Sequence, residues 1–528
     1  MNINESGAFY MENKTEIEFT RNRRCAQVFT ESAAEYVLPD YNGDVRKILY
    51  TNAEVRPSGK FAGGDEVEYS GIVVYEMIYL DSENALTSVT FTSDYEYTVK
   101  CTGEKYRDSF AETTVSNYAL RLIGPRKISA KASIVGEVRM IEAEQLGIDG
   151  DTFEGEESPE INVCPYRIRK SISSENLERE YAESVAKLDG AIADEVSVIS
   201  ASADAIVDEV ILGDGEATIR GSLNLSAIIR NGDAPAYQRE KVIGFEENVA
   251  FADVAEDMRF VPEIVVSSIV STINAQEFGT EVVVSAVLDL SVIGETNESG
   301  ELISDSYLKS CAVENKYEDF SYSELLTVAH SRESESGSVQ RSEVDVQNIR
   351  EILFLKGIPK IESETCADGK LEVSGEIKYN GIASVTEEDG TIGYVPLKFS
   401  LPFVRTLEIG GCDSLIHEVK TIAHNASATF DAAKLYVNCS VEVIATVCEE
   451  KHLKRLACSK QLLDQPYEKN NSRIIIYYPD REESLFSVAK KYRTTVAKIA
   501  ADNSLTAEVL SHNGENDQML NGKKLIIY

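Results

Sequence analysis

The sequence predicts a mainly β protein in which tandem β-rich repeat domains, each a sandwich or barrel-like sheet, precede a small strand–helix–helix–strand domain. Apolar and polar residues alternate over long stretches, as they do in half-buried β-strands. A glycine-centred pattern recurs after about 150 residues, and the last segment spaces its apolar residues as a helix does. The 528 residues exceed one hydrophobic core, so we expect about two to four domains.

A shared pattern marks three copies in the body of the chain. In copy one Arg46 precedes Gly71 by 25 positions, and in copy three Arg350 precedes Gly375 by the same 25. The matching glycine of copy two is Gly221, and the three glycines are 150 and 154 residues apart. A period of this length predicts tandem domains, because the units of a solenoid are shorter. A glycine inside a strand predicts a β-bulge or a close approach of two backbones.

Each copy carries two further signals after its glycine. Aromatic residues come first: Phe91, Tyr95 and Tyr97 in copy one, Phe245 and Phe251 in copy two, and Phe399 and Phe403 in copy three. A long alternating stretch follows: Ile128, Ala130, Ala132, Ile134 and Val138 in copy one, Val282, Val284, Ala286, Leu288, Leu290 and Val292 in copy two, and Leu435, Val437, Cys439, Val441 and Val443 in copy three. Period two over this length predicts a half-buried strand in every copy.

On this basis the chain divides into a first β domain at 1–145, a second at 170–300, a third at 340–465 and a C-terminal domain at 472–528. The acidic, glycine-bearing residues 141–160 are typical of a flexible connector, and so are the serine-rich residues 331–345. We call residues 472–528 the tail and the remainder the body.

The charge of the chain limits its partners. The formal net charge is −37, a field that repels nucleic acid and anionic lipid surfaces, so we expect no nucleic acid partner. Residues 471–528 differ, because they carry eight Lys or Arg and seven Asp or Glu, a net charge of +1 that leaves −38 on the rest. The tail therefore has a surface chemistry of its own.

The sequence shows neither a membrane span nor an export signal. Its most apolar runs are roughly ten residues long, whereas a spanning helix needs about 20 apolar residues. The start, MNINESGAFYMENKTEIEF, has no basic n-region and no apolar h-region. Nine scattered cysteines without C-x-x-C spacing are typical of reduced thiols. We therefore expect a cytoplasmic protein without a transmembrane segment.

Common catalytic and metal-binding patterns are missing from the sequence. It lacks the P-loop, the G-x-S-x-G elbow and H-E-x-x-H. His417 and His424 are seven residues apart in copy three, but no Cys or His spacing completes a zinc site around them. Three similar copies without a shared His or Cys also argue against a hydrolase. We therefore expect no enzyme activity, no catalytic residue, no metal and no cofactor.

The tail reads as strand, helix, helix and strand. Arg473–Tyr478 is a compact strand candidate, and Ser484 or Glu483 suits the first turn of a helix. A second short helix ends at Asn503, and Leu525–Tyr528 closes the segment as a strand. The first helix has one apolar face, formed by Leu485, Val488, Ala489 and Tyr492.

This order and spacing resemble the LysM family, whose motif runs as a strand, G-D-T-L, a helix ending K-K-Y, a second helix ending in Asn, then G-x-x-L and a strand. Ser484-Leu485 stands at T-L, Lys490-Lys491-Tyr492 ends the first helix, and Asn503 ends the second. Gly522 and Leu525 match the closing turn. The resemblance implies a βααβ fold, best known for binding N-acetylglucosamine polymers.

Two departures from the LysM motif affect the expected ligand. Glu482-Glu483 replaces the Gly-Asp, and a charged side chain crowds the approach that a glycine gives to sugar. The loop between Asn503 and Gly522, which forms the opposite wall of the sugar groove in the family, is longer than usual. Glycan binding, protein binding and a purely structural module remain alternatives, of which we favour protein binding.

Repeated acidic β domains ahead of a LysM-like tail resemble the SipL family of spore coat morphogenesis proteins, which carry SPOCS domains before a LysM domain. Copies one and three show the clearest likeness, with Ile48-Leu49 and Ile352-Leu353 ahead of x-G-x-h-x-Y and a Phe-rich stretch. The resemblance implies a role in endospore-forming bacteria, in the mother cell at the forespore surface. In the family the LysM domain binds the basement-layer coat ATPase, stage IV sporulation protein A.

The resulting hypothesis is a non-enzymatic scaffold of the spore coat, whose repeats self-associate or meet other coat proteins. The candidate partner-binding residues of the tail are Asp480, Arg481, Glu482, Lys490, Lys491, Arg493 and Asn503. Charge reversal at Lys490 and Lys491 is expected to weaken docking through lost electrostatic complementarity. The alternative is a peptidoglycan-binding protein of the spore cortex or cell wall, which requires export.

Overall fold

The fold is mainly β, as the alternating pattern predicts. The computed structural model describes residues 2–3, 9–10, 17–40, 42–101, 106–146, 152–213, 215–251, 257–344, 346–410, 415–467, 474–480, 483–505 and 524–528. Within these ranges β-strands predominate, in several small and mostly antiparallel sheets, and both α-helices lie in the tail. None of the helices in these ranges is long and apolar enough to cross a membrane.

Each copy contributes six strands. Those of copy one are β3 (Ile17–Val37), β4 (Val45–Gly63), β5 (Glu66–Asp81), β6 (Leu86–Lys100), β7 (Tyr106–Gly124) and β8 (Lys127–Leu146). Those of copy two are β11 (Leu177–Asp189), β12 (Val196–Leu212), β13 (Glu216–Asn231), β14 (Tyr237–Ala250), β15 (Arg259–Gln276) and β16 (Gly279–Tyr307). Those of copy three are β17 (Cys311–Gln340), β18 (Ile349–Ala367), β19 (Lys370–Thr386), β20 (Ile392–Glu408), β21 (Leu415–Phe430) and β22 (Lys434–Pro466).

Outside the copies, the described part of the body has four more strands. Two short ones, β1 (Asn2–Ile3) and β2 (Phe9–Tyr10), pair with each other at the start of the chain. The other two precede copy two: β9 (Thr152–Glu154) pairs in parallel with β22, and β10 (Glu160–Ser173) pairs with β16.

The six strands have the same connectivity in all three copies. Strands two, three and four of a copy form one sheet in that order, and strands one, six and five form the other. In copy two, for example, these sheets are β12-β13-β14 and β11-β16-β15. A shared connectivity means that the repeated pattern of the sequence corresponds to a repeated structural unit.

The two sheets of each copy enclose an apolar core. Strand six crosses the middle of its sheet, so its inward side chains meet the opposing sheet. Every residue of the three alternating sets, from Ile128 in copy one to Val443 in copy three, is buried. The prediction of a half-buried strand in each copy is therefore confirmed.

The three pattern glycines each pair with strand two of their copy at a β-bulge. The bulges lie at Pro57/Gly59, Val207/Glu209 and Ile361/Ser363. A Cβ added to Gly71 would lie 2.5 Å from the Arg56 backbone oxygen and 2.6 Å from the hydroxyl of Tyr95. The prediction of a bulge and a close backbone approach is confirmed, since only glycine leaves room for the neighbouring strand there.

The three copies meet in a shared apolar cluster, which we call the hub. Its residues come from all three copies: Leu49, Tyr50, Ile78, Leu80, Leu86, Ile199, Ile228, Ala236, Leu353, Ile382 and Tyr394. Equivalent positions meet there, because Ile78, Ile228 and Ile382 are separated by the same 150 and 154 residues as the pattern glycines. The copies are therefore arranged with pseudo-threefold symmetry.

Contacts around the hub close the three copies into a ring. Strand four of one copy packs on strand two of the next: β6 on β12, β14 on β18, and β20 on β4. The last of these joins copy three back to copy one, where the rings of Tyr50 and Phe354 meet edge to face at 4.8 Å. A head-to-tail interface that closes on itself leaves no unpartnered end.

The last strands of copies two and three extend beyond their cores. Residues 293–307 of β16 pair with β10, and residues 311–323 of β17 pair with residues 450–466 of β22. These segments pack against one another, and we call them the stalk. Their shared apolar contact is formed by Tyr166, Ile168, Leu302, Tyr322 and Leu453.

Both predicted connectors are wrong in part. Within residues 141–160, β8 continues to Leu146 and β9 covers Thr152–Glu154, so this segment is not a continuous flexible linker. Residues 331–340 are not a flexible linker but the second half of β17, paired with β22 from Ser331 opposite Val443 to Gln340 opposite Lys434. Their serines and glutamates are compatible with a strand at the edge of a sheet, since backbone hydrogen bonds to β22 order the segment. The first strand of copy three therefore lies before residue 340.

The described part of the tail contains two strands and two helices. Strands β23 (Ile475–Tyr477) and β24 (Leu525–Ile527) form an antiparallel pair. Helices α1 (Leu485–Tyr492) and α2 (Val496–Asp502) pack against one face of this pair. The small core that results also includes Tyr307 at the end of β16, so it is shared with the stalk.

The substitution Gly221→Ala is expected to lower the thermal unfolding midpoint of the full chain. The added Cβ would lie closer than 3.0 Å to the Ile206 backbone oxygen and to the ring of Phe245. Overpacking of this kind costs about 1–3 kcal/mol. The matched control is Gly244→Ala on the neighbouring strand, where the nearest atom is 3.8 Å from the added Cβ. Circular dichroism melts check the prediction, and equal midpoints for the two variants would contradict it.

Candidate functional site in the tail

The two tail helices begin at hydroxyl caps. The Ser484 side chain accepts a hydrogen bond from the Ser487 amide, and the Thr495 side chain accepts one from the Lys498 amide. Each cap satisfies an amide that has no partner inside its helix. Helix α1 ends at Arg493, whose backbone is left-handed with a φ of 56°. These caps determine where each helix begins and ends, and therefore which side chains lie on the surface of the tail.

Asn503 ties the end of α2 to the closing strand. Its side-chain amide donates to the backbone oxygens of Ile499 at 2.8 Å and Ile526 at 2.7 Å. Its side-chain oxygen accepts from the Ile526 amide at 2.6 Å. All three contacts are internal to the tail. The asparagine predicted as a partner contact is therefore placed where it holds α2 against β24.

Two of the predicted cations contact the body. The Lys490 ammonium lies 2.5 Å from the Asp305 carboxylate, on strand β16. The Arg493 guanidinium stacks over the ring of Tyr467, which follows β22, at 3.5 Å from its centroid. The geometry therefore brings both cations to the stalk.

Lys491 lies within the tail and keeps an exposed side chain. Its ammonium is 2.9 Å from the Tyr477 hydroxyl and 4.5 Å from the centre of that ring. The hydrogen bond to Tyr477 raises the pKa of Lys491, and the hydrogen bond from Tyr477 to the Glu483 carboxylate raises the pKa of Tyr477. Glu483 thus occupies the turn before α1 with an internal partner.

The remaining predicted residues flank that turn. Asp480 is exposed, and its backbone amide donates to the Glu483 carboxylate at 3.4 Å. Arg481 and Glu482 lie outside the described residues, and so does Gly522. Of the Glu482-Glu483 pair that replaces the Gly-Asp of the LysM motif, the structure therefore describes only Glu483.

Sequence reasoning missed an apolar face on the outside of the tail sheet. Ile474, Ile476, Tyr478 and Tyr528 keep between 55% and 61% of their surface exposed. Ile476 pairs with Ile526, so the two strands together present a contiguous apolar strip. The signal is present in the run IIIYY, Ile474–Tyr478, where both alternate sets are apolar or aromatic although the helices cover only one face. We call these four exposed residues and Ile526 the outer face.

Lysines lie beside the outer face. Lys524 is exposed at the start of β24, and the Lys498 ammonium is 2.9 Å from the backbone oxygen of Tyr528. An apolar strip with basic neighbours suits a partner segment that is apolar in the middle and acidic at its ends. On a chain whose body is strongly acidic, this combination distinguishes the tail.

His417 and His424 of copy three lie beside carboxylates. His417 lies 2.8 Å from the Glu364 carboxylate. His424 is only 3% exposed, and its two ring nitrogens lie 2.8 Å from Asp204 and 3.1 Å from Glu442. Among the described residues, no group of three His, Cys, Asp or Glu side chains is arranged to hold a metal ion.

His424 joins copy two to copy three. Asp204 lies on β12 of copy two, whereas His424 and Glu442 lie on β21 and β22 of copy three. Burial lowers the pKa of His424, but the bonds to Asp204 and Glu442 outweigh it and raise the pKa to about 9. Burial raises the pKa of Glu442, but the hydrogen bonds of His330 and His424 lower it to about 2. Both ring nitrogens face carboxylates, which requires the doubly protonated imidazolium.

A second buried ion cluster joins the stalk to copies one and three. Arg169 on β10 binds Glu295 on β16 through two hydrogen bonds of 2.6 and 2.8 Å. Burial lowers the pKa of Arg169, but the hydrogen bonds and charge of Glu295 raise it above its usual value. Arg139 of copy one lies 2.8 Å from Glu418 of copy three, which in turn is 3.7 Å from Arg169. Removing one partner would leave a buried charge unpaired.

No protein-family model matches the chain, and no curated protein matches it. The contacts described above and the sequence resemblance are therefore the indications of function.

The substitution His424→Gln is expected to remove a pH-dependent part of the stability. The folded-state pKa of about 9 exceeds the ordinary value of 6.5, so the imidazolium stabilises fully below pH 6.5, and this stabilisation is lost as the pH rises through 9. Its size is about 3 kcal/mol, since one pKa unit corresponds to about 1.4 kcal/mol.

Thermal melts of the full chain and the variant between pH 5 and pH 10 measure this effect as the difference between their midpoints. The difference is expected to shrink above about pH 9. His452→Gln is the control, because His452 is exposed and, among the described residues, its recorded bond is to the neutral Ser321. A midpoint difference for His424→Gln that stays constant across the range would contradict the prediction.

Proposed function

We propose that this protein is a non-enzymatic scaffold of the endospore coat whose LysM-like tail docks the basement-layer ATPase, stage IV sporulation protein A. The observation that carries the proposal is the outer face of the tail, where Ile474, Ile476, Tyr478 and Tyr528 are more than half exposed. Clustered exposed apolar side chains of this kind mark protein-binding surfaces. The partner is named by the resemblance to the SipL family.

The resemblance to LysM is supported by the order β23, α1, α2 and β24 in the tail. The internal contacts of Asn503 and of the Ser484 cap stand at matching motif positions. Glu483, at the position of the family's aspartate, accepts hydrogen bonds from Tyr477 and Asp480 within the tail.

A scaffold role for the body is supported by its construction. Three copies close around one hub, and long strands continue from them to the tail. Such a body presents rigid, strongly acidic surfaces around a ring, which suits several simultaneous coat-protein contacts. The proposal includes no cofactor and places the protein in the mother-cell cytoplasm at the forespore surface.

The substitution Ile476→Asp is expected to weaken capture of the purified ATPase by roughly tenfold or more, because it places a charge in the centre of the outer face. Immobilised full-length chain and a titration of the ATPase measure the affinity. The matched control is Val242→Asp, which changes an equally exposed side chain on β14 of copy two. Equal affinities for the two variants would refute docking through the outer face.

Binding of peptidoglycan by the tail is the alternative, and the same variants distinguish it. If the full-length chain is retained on purified peptidoglycan and Ile476→Asp leaves ATPase capture unchanged, the glycan alternative replaces the proposal. Retention on peptidoglycan is expected to be absent, because the sequence has Glu482 where the family has the glycine that gives sugar room to approach.

A further inference from the structure

We propose that the tail is latched onto the stalk in one orientation through Asp305 and Tyr307, and that Lys490 serves this latch rather than the partner. The latch residues are Asp305, Tyr307 and Tyr467 on the body and Phe486, Lys490, Arg493 and Thr494 on the tail. The latch itself is independent of the proposed function, and only its consequence for docking rests on that proposal.

Asp305 is oriented by its own neighbours to receive the tail. One carboxylate oxygen accepts hydrogen bonds from the Asn315 side chain at 3.0 Å, from the Tyr317 hydroxyl at 2.7 Å and from the Ser306 amide at 2.8 Å. The other oxygen, 2.5 Å from the Lys490 ammonium, faces α1. A carboxylate held by three donors loses little further freedom when the lysine binds, so this pair costs less entropy than a free surface pair.

Tyr307 contributes an apolar ring contact and a hydrogen bond to the latch. It is only 2% exposed, although it is the last residue of β16. Its ring meets Phe486 edge to face at 5.2 Å, and its hydroxyl donates to the backbone oxygen of Thr494 at 2.5 Å. The ring therefore completes the core of the tail, as its membership of that cluster shows. A tethered module that tumbled freely would leave this ring in water.

Arg493 provides a separate third contact. Its guanidinium stacks on Tyr467 at 3.5 Å, and the Tyr467 amide donates to the Ser310 oxygen at 2.9 Å. The contact thus reaches the end of β22, whereas Asp305 and Tyr307 belong to β16. Contacts to two different strands determine the orientation of the tail on the stalk as well as its position.

The orientation leaves the outer face free. The latch uses α1 and the turn that follows it, which lie on the helical side of the tail sheet. Ile474, Ile476 and Tyr478 lie on the opposite side, with their side chains exposed. The body would then present this face outward in a fixed direction from the ring.

A charge swap tests the latch without any partner. In the full chain, Lys490→Asp and Asp305→Lys each place like charges together at the contact. Hydrogen–deuterium exchange in the peptides that contain Tyr307 and α1 is then expected to become about fivefold faster or more. The double variant restores opposite charges and is expected to return exchange towards the unmodified rate. Lys241→Asp, a reversal at an exposed lysine on β14 of copy two, is the control and leaves exchange unchanged.

The Tyr307→Phe variant tests the latch through a second contact, in case the Asp305/Lys490 double variant does not restore exchange. It keeps the ring and removes only the hydrogen bond to Thr494, so it is expected to speed exchange in the same peptides. The latch stands if Lys490→Asp speeds exchange and either the swap restores it or Tyr307→Phe also speeds it. The latch is overturned if Lys490→Asp leaves exchange unchanged, or if neither of the other two results is obtained.

Capture of the ATPase then reports the consequence for docking. If Lys490 acts through the latch, the Asp305/Lys490 swap recovers the affinity that Lys490→Asp loses. If Lys490 contacts the ATPase directly, the swap does not recover the affinity even though exchange returns to normal, and the inference about this lysine is overturned. Since exchange is measured without the ATPase, a failure of the proposed function leaves the latch itself tested.

Discussion

The hub is the constraint on which the rest of the structure depends. Each copy has its own core, yet the end of its third strand is apolar on both faces and requires a further cover. Ile78, Ile228 and Ile382 supply that cover for one another and are each at most 4% exposed. Burying an isoleucine stabilises by about 1.5–3 kcal/mol, so the hub is worth more than any single polar contact between copies. The ring therefore follows from apolar burial, and the ion pairs act on an assembly that already exists.

Apolar burial in the hub also affects the role of the buried ion pairs between the copies. His424 between Asp204 and Glu442 lies at an interface that the hub has already brought together, so the ions are not needed to drive association. Burying an ion pair costs solvation, so part of the attraction within each pair only offsets that cost. Another register of copy against copy would leave these charges buried without partners, which disfavours it. The ion pairs of Arg169 and Glu295 connect the stalk to the same copies, so the position of the stalk follows from the register of the copies.

The sequence predicts contacts within a copy better than contacts between copies. Alternation identified the inward side chains of strand six, and the glycine spacing located the bulges, because both are local consequences of strand geometry. Residues 331–340 were misjudged, since composition does not reveal that β22 provides a backbone partner. The hub left a weaker signal: Met77–Leu80 breaks the alternation with four buried residues in a row. Such a run shows that both faces are covered, but the identity of the cover depends on distant copies.

The charged residues of the tail show the same limit of sequence-based prediction. Lys490, Lys491 and Arg493 are nearly adjacent in sequence and read as one basic surface. In the fold Lys490 meets Asp305, Lys491 meets Tyr477, and Arg493 meets Tyr467. Two of these contacts bind the body and one binds the tail itself. A loss of docking after charge reversal would therefore not by itself identify a partner contact. A compensating substitution distinguishes the two roles. A complementary change at Asp305 restores docking if the lysine acts through the latch, but not if the lysine contacts the ATPase directly.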